Sequence, residues 1–262
     1  MGIITLTTDL GQKDFYLASV KGSILKELPE ASIQDISHSV PAFNIAQAAF
    51  LLKNSFFHFP SSTIHIIGVD CDYSKSPRFL IAHYRDHYFI GPDNGVFSLI
   101  FEEAPNLMVE IYPKEGLKPS HFNLLEILVP ASCSLYKSPV LEKYGLRVED
   151  WNQKMNLKPV FGPGFIRGTI IYVDEYQNVI SNIQEYDFKN TIGLKNFQIR
   201  FRRNESINKI SYHYGEVPEG EKLALFGISG HLEIAIHKGK AAGLLGLKID
   251  DIIQIDYEEK KE

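Results

Sequence analysis

Ile64-His65-Ile66-Ile67-Gly68-Val69-Asp70-Cys71-Asp72 is an apolar run that ends in carboxylates. An uninterrupted apolar run of this length predicts a buried strand. The polar residues after it place Asp70 at the carboxyl edge of a sheet, where open α/β folds bind ligands. Two other segments follow the same pattern. Ile3-Ile4-Thr5-Leu6-Thr7-Thr8 runs into Asp9-Leu10-Gly11, and Tyr88-Phe89-Ile90 runs into Gly91-Pro92-Asp93-Asn94-Gly95. Three strand ends that offer carboxylates or amides predict one site assembled along one rim.

The segments between these runs carry helical spacing. Leu17, Val20, Ile24 and Leu28 form one stripe, closed by Pro29, and Ile45, Ala48, Ala49, Leu52 and Phe56 form a second. Ala31–Ile36 reads as a strand, so the order is βαβαβ, which predicts a largely parallel sheet flanked by helices. Residues 79–84 and 87–90 read as a hairpin around Arg85-Asp86. Residues 95–102 read as a short helix, 107–112 as a strand, and Leu124–Tyr136 as a helix kinked or ended by Pro130. Character changes at Trp151, where Asn, Gln and Lys residues lead into Pro159, Gly162, Pro163 and Gly164. The expected organisation is an α/β domain over 1–150, a linker over 151–166, and a β-rich barrel or sandwich over 167–262. Strands are expected at 168–174, 196–202, 207–212, 222–226, 232–237 and 251–256, with one helix over Gly239–Leu247.

The chain has 262 residues, 44% hydrophobic and 23% charged, which is the composition of a globular protein. No apolar stretch approaches the roughly 20 residues of a membrane span. Met1-Gly2-Ile3 leads directly into strand-like sequence without a basic leader, so a secretory signal is not expected. A net charge of −5 gives no general attraction to nucleic acid. Arg200-Phe201-Arg202-Arg203 reads as the exposed face of a strand rather than a phosphate clamp. Cys71 and Cys133 have no metal-like spacing and fit a reducing cytoplasm, and Cys71 reads as a spectator thiol. Phe56, Phe57 and Phe59 read as core or as part of a subunit contact.

Asp9, Asp70 and Asp72 would suffice in number for a metal hydrolase, but no His accompanies them at ligand spacing, and acids that grip sugar hydroxyls fit better. A nicotinamide dehydrogenase is disfavoured because no Gly-x-Gly-x-x-Gly follows the first strand. The alternative for Asp9 is a cap on the helix that begins near Asp14. For Asp93-Asn94-Gly95 it is a tight turn beneath the site, with Asn94 within reach of substrate.

Four segments in order resemble one family. They are Leu6-Thr7-Thr8-Asp9-Leu10-Gly11, Gly91-Pro92-Asp93-Asn94-Gly95, Asp174 to Asn182, and Ser229-Gly230-His231-Leu232-Glu233-Ile234-Ala235. Val20-Lys21-Gly22, Asp35-Ile36-Ser37-His38 and Gly239-Lys240-Ala241-Ala242 support the match. The chain is similar to the S-adenosylmethionine hydroxide adenosyltransferases, which also include fluorinases and chlorinases. The resemblance implies displacement at ribose C5′ of S-adenosylmethionine by water, releasing adenosine and methionine without a metal or organic cofactor. It implies a homotrimer with the site between one subunit's first domain and a neighbour's second. It assigns Asp9, with Thr8 beside it, to the ribose hydroxyls, because one carboxylate accepts two vicinal protons. It assigns Asp174 to the methionine ammonium, Asn178 with Tyr176 to the adenine, and Ser229 to the tail pocket. For Asp174 and Asn178 a turn-stabilising role is the alternative.

The catalytic segments depart from the family pattern. Asp70 matches the water-holding Asp. The loop after it, Cys71-Asp72-Tyr73-Ser74-Lys75-Ser76-Pro77-Arg78, has lost its glycines, and Arg78 falls one position late. Asn123 stands where the family has His, with Leu124 and Leu125 in place of Gly and Arg, and His121 two residues away. Gly227-Ile228 replaces an Asn-Ser pair that helps bind the methionine carboxylate. Asn hydrogen-bonds a water but does not shuttle a proton near neutral pH. Three readings follow: a hydrolase of S-adenosylmethionine using Asp70, Arg78 and Asn123 or His121; a relative that binds adenosine without turnover; and an enzyme acting on another adenosyl compound.

Overall fold

The computed structural model describes residues 2–72, 77–112, 121–202 and 205–258. Tyr73–Ser76 of the loop after Asp70, Arg203 and the tail 259–262 lie outside the described residues. The chain forms two compact units, Met1–Asn156 and Leu157–Glu262.

In the first unit β1 (Ile3–Thr8), α1 (Phe15–Glu27), β2 (Ser32–Ser37), α2 (Ile45–Lys53) and β3 (Ile64–Gly68) follow the expected βαβαβ order. β4 (Phe79–Tyr84), β5 (His87–Pro92), α3 (Val96–Ile100), β6 (Leu107–Ile111), α4 (Val129–Lys137) and β7 (Gly145–Arg147) complete it. The sheet order is β2-β1-β3-β5-β4-β6-β7. The first four strands are parallel, and β4, β6 and β7 add antiparallel. The sheet is therefore mixed. The antiparallel part begins at the β4–β5 hairpin, whose Arg85 and Asp86 both have positive φ (47° and 61°), the backbone of a tight two-residue turn.

Alternation along the strands divides the core. Ile66 and Ile81 pack with Val20 and Ile24 of α1 and with Val129 and Leu135 of α4 on one face. Ile67, Leu80 and Phe89 pack with Leu52 of α2 and Phe97 of α3 on the other. The helix expected over 124–136 begins instead as a π-helical turn, Leu124–Leu128. Pro130 lies in the first turn of α4 and has no N–H for the carbonyl four residues back, so the preceding turn is wound more loosely. Inside the sheet His65 Nδ1 lies 2.7 Å from Thr5 Oγ1, and its Nε2 lies 3.1 Å from His87 Nδ1. Burial, and then the neighbouring His87, push the His65 pKa down to about 3.

The second unit is antiparallel. It contains β8 (Val160–Gly162), β9 (Phe165–Val173), β10 (Val179–Gln184), α5 (Glu185–Thr191), β11 (Phe197–Arg202) and β12 (Glu205–Ile207). It continues with β13 (Lys222–Phe226), β14 (His231–Ile236), α6 (Ala241–Leu245) and β15 (Ile252–Tyr257). The order β12-β11-β15-β9-β10-β14-β13, with β8 on β9, makes a nearly closed barrel around Ile166, Ile170, Val179, Ile234 and Ile255. Several features differ from expectation. The strand expected at 207–212 stops at Ile207, and only a single bridge at Ile210 reaches β13. The strand β10 and helix α5 were not anticipated: Ser181, Asn182 and Gln184 break the apolar pattern, and Ser181 and Asn182 nevertheless lie buried in the sheet. Residues 151–166, expected as a linker, are divided. The amides of Asn152 and Lys154 donate to Asp93 Oδ1 (2.8 Å) and Ser98 Oγ (2.7 Å), while Val160–Gly162 pairs with β9.

Candidate active site

Strand register brings the predicted rim together. Thr8 of β1 lies opposite Gly68 of β3, and Ile66 lies opposite Ile90 of β5. The residues just beyond, Asp9, Asp70 and Asp93-Asn94, therefore emerge side by side. The Asp70 amide donates to Asp9 Oδ2 (3.3 Å), and the Phe43 amide donates to the same oxygen (2.9 Å). Both donors are non-glycine residues at positive φ, 53° for Asp70 and 67° for Phe43. Such backbone costs on the order of 1–3 kcal/mol at each position. A charged acceptor strengthens both bonds and offsets part of that strain. Asp9 does not cap α1: Asp14 is the cap residue, and it makes no side-chain cap bond.

Asp9 and Asp70 line a cavity of 190 Å³ with Leu10, Phe43, Asp72, Phe122 and Leu124. Drug-sized ligands occupy about 300–1,000 Å³, so this cavity suits part of a nucleoside, such as its sugar. Burial, and then the charge of Asp9, raise the Asp70 carboxyl above the ordinary aspartate range. Burial likewise raises Asp72, whose Oδ1 accepts the Asn123 amide (2.7 Å). Cys71 is buried, and burial followed by the surrounding aspartates pushes its thiol well up, which keeps it protonated. Among the described residues no group of three or more His, Cys, Asp or Glu side chains is arranged to hold a metal ion.

Asn123 and Arg78 make other contacts, and His121 does not line this cavity. Asn123 is buried, and its side-chain amide donates to the Cys71 carbonyl (3.1 Å), clasping the loop after β3. His121 is exposed and is not among the residues lining the cavity. Arg78 Nε lies 3.0 Å from Asp93 Oδ2 and 3.5 Å from Glu110, and its Nη2 donates to the Asp150 carbonyl. Arg78 and Asp70 share a second, larger cavity of 610 Å³ with Asp93, Asn94, Trp151 and Asn152. Asn94 is a brace: its amide donates to the carbonyls of Val69 (3.1 Å) and Asp70 (3.4 Å), and its oxygen accepts the Val96 amide. The hydroxyl of Thr8 is fully buried, 2.8 Å from His38 Nδ1.

The remaining expected residues lie in the second unit. Asp174 accepts from the backbone N–H (2.7 Å) and the side-chain amide (3.0 Å) of Asn178, the geometry of a turn clasp. Tyr176 and Ile228 are exposed. The Ser229 carbonyl lies 2.9 Å from His231 Nδ1. Glu233 is buried with its carboxyl raised by burial, and it accepts the Tyr214 hydroxyl (2.7 Å). Phe43 was not foreseen, since its contribution is a backbone N–H. The only signal was local, in that Asn44 is the N-cap of α2, accepting from Gln47 N–H (3.0 Å), so a sharp turn had to precede it.

Two family models match the chain, the SAM hydroxide adenosyltransferase N-terminal domain over residues 4–145 and the C-terminal domain over 168–254. A protein of Methanocaldococcus jannaschii named (R)-S-adenosyl-L-methionine hydrolase is 27% identical, over 98% of this chain and 97% of its own length. One of the same name from Thermus thermophilus is 26% identical, over 92% and 94%. The crystal structure of an uncharacterized conserved protein from Thermotoga maritima superposes with a TM-score of 0.87 at 30% identity, covering 97% of this chain and 99% of that one. With both halves matched in order, this chain belongs to the SAM hydroxide adenosyltransferase family.

Proposed function

We propose that the protein hydrolyses S-adenosylmethionine to adenosine and methionine. Water oxygen bonds to ribose C5′, the C5′–sulfur bond breaks with its electron pair passing to sulfur, and one water proton is released. The sulfonium leaves as a neutral thioether, so the reaction asks only for an aligned, desolvated water and needs no cofactor chemistry. Asp9 holds the ribose hydroxyls. Asp70 accepts the proton, a task that its raised carboxyl suits better than that of an ordinary aspartate. The observation that carries this reading is the meeting of Asp9 and Asp70 on one cavity wall. Asp174, Asn178, Tyr176 and Ser229 take the adenine and methionine portions, in sites completed by a neighbouring copy in a homotrimer. The family resemblance and the exposure of Tyr176 (79%) and Ile228 (96%) support that assembly, and light scattering tests it.

A second reading, nucleoside binding without turnover, draws on one observation: the Asn123 amide is spent on the Cys71 carbonyl. Chromatography of the protein with S-adenosylmethionine separates the two. Adenosine and methionine released in equal amounts, and abolished by Asp70→Asn, support the hydrolase. Adenosine binding by calorimetry without product supports the second. The two thiols, buried and unbridged, accord with a cytoplasmic setting. No helix among the described residues is long and apolar enough to cross a membrane.

A further inference from the structure

His38 is 2% exposed, and it touches the segment that carries Asp9 on both sides of that residue. Its Nδ1 lies 2.8 Å from Thr8 Oγ1. Its carbonyl accepts the amide of Gly11 (2.9 Å), a glycine at φ 68°. The Leu10 amide donates to Thr8 Oγ1 (3.4 Å). Away from the site, His38 Nε2 lies 3.0 Å from Asp35 Oδ1, and Lys21 Nζ donates to Asp35 Oδ2 (2.6 Å). Burial pushes the Asp35 carboxyl up, but the Lys21 and His38 side chains beside it outweigh that and hold the carboxyl below its ordinary value.

An ionised Asp35 only accepts, so the Nε2 facing it carries the proton. With the proton on Nε2 alone, Nδ1 accepts a hydrogen bond from the Thr8 hydroxyl. The Thr8 oxygen keeps a lone pair for the Leu10 N–H. Lys21, Asp35, His38 and Thr8 thus form a strut, partly exposed at Lys21 and Asp35 and buried at His38 and Thr8, running from α1 through the end of β2 to the turn after β1. Hydrogen bonding to a diol needs a carboxylate held within about 0.5 Å.

We propose that His38 is a positioning residue for the sugar-binding carboxylate: through Thr8 and Gly11 it fixes the turn after β1 so that Asp9 meets the vicinal hydroxyls of the nucleoside, with Asp35 and Lys21 fixing its tautomer. The inference rests on Asp9 binding the ribose, so its test uses two probes that differ only there, adenosine and 2′,3′-dideoxyadenosine, each titrated by calorimetry. The wild type is expected to prefer adenosine by at least about tenfold. His38→Gln places its amide near Nε2, keeps Asp35 and deserts Thr8. Its preference for adenosine is expected to fall about tenfold while dideoxyadenosine binds as before within about twofold. His38→Asn sets an oxygen where Nδ1 stood and is expected to recover most of the preference. A His38→Gln protein with wild-type preference overturns the proposal, and His38→Asn failing together with His38→Gln overturns the route through Thr8. A wild type that does not distinguish the probes overturns the ribose role of Asp9 instead, and the proposal with it. Circular dichroism reports folding. Should His38→Gln not fold, Thr8→Val, nearly the same shape, carries the same expected loss, and an unchanged preference in that variant overturns the proposal.

Discussion

Leu124 and Gly68 meet at the floor of the cavity that holds Asp9 and Asp70, and their packing predicts a specific non-additivity. Leu124 is 1% exposed. A Cβ added at Gly68 would stand 2.6 Å from Leu124 Cδ2 and 3.1 Å from Cδ1, with Thr8 Cγ2 at 3.2 Å. Gly68→Ala therefore overpacks the contact with Leu124, at a cost of about 1–3 kcal/mol. Leu124→Ala removes three buried carbons, at a cost of about 2–5 kcal/mol, and the lower half of that range is expected because the side chain already borders a cavity. In the double variant the new methyl enters the space that Leu124 vacates. The double variant should therefore be less destabilised than the sum of the singles by about 1–2 kcal/mol. Urea unfolding of the four proteins at one pH reads this directly, provided the slopes agree. Adenosine affinity should fall in Gly68→Ala and recover in the double variant, because the same methyl narrows the cavity proposed for the sugar only while Leu124 stands. Additivity within about 0.5 kcal/mol would show that the two side chains do not share this space and would refute the placement of the cavity floor.

Other expectations follow from charges. Asp70→Asn should lower the turnover of S-adenosylmethionine about 10²–10³-fold while leaving adenosine affinity within about threefold, as a steady-state assay with parallel calorimetry would show. As the proposed proton acceptor Asp70 would act ionised, and burial and then Asp9 raise its carboxyl above 3.8, so turnover should rise with pH on a limb displaced upward from that value. In Asp9→Asn the residual pH–rate profile should move down, since the like charge is gone. His65 is neutral in the fold with a pKa of about 3 against 6.5 unfolded, so its contribution is present above 6.5 and is lost as pH falls toward about 3. The slope is about 1.4 kcal/mol per pH unit, and unfolding measured across this window should lose it in His65→Phe. Arg78→Met strands Asp93, whose side chain is 3% exposed, and should cost about 3–5 kcal/mol, much of it recovered when Asp93→Asn is added. Thermal melts of the single and double variants check this.

The parts of the fold that were legible in the chain are those in which one residue's environment repeats along an element. The helical stripes at Val20 and Ile24 and at Ala48, Ala49 and Leu52 face the sheet as their spacing requires. The rim was legible for the same reason: apolar strands that stop at Asp9, Asp70 and Asp93 must place those residues at their ends. β10 was illegible because Ser181 and Asn182 are buried polar residues satisfied by distant partners, the carbonyls of Leu232 and Leu157. The π-helical turn at Leu124–Leu128 follows from Pro130, but its pitch depended on packing against α1 and β3.

What the chain carries in one dimension is element type, the family motifs, and the presence of acids at strand ends, because period, caps and apolar runs depend on neighbours a few residues apart. Which of those acids meet, and which polar groups are already spent, depends on contacts between residues far apart in the chain, such as Asp9 with Phe43 and Asp70, and Asn123 with Cys71. Sheet register and loop closure set those contacts in space. A hydrogen bond made or lost across a few tenths of an ångström leaves no trace in spacing or composition, so the partners of Asp70, Arg78 and Asn123 emerged only once the strands were paired.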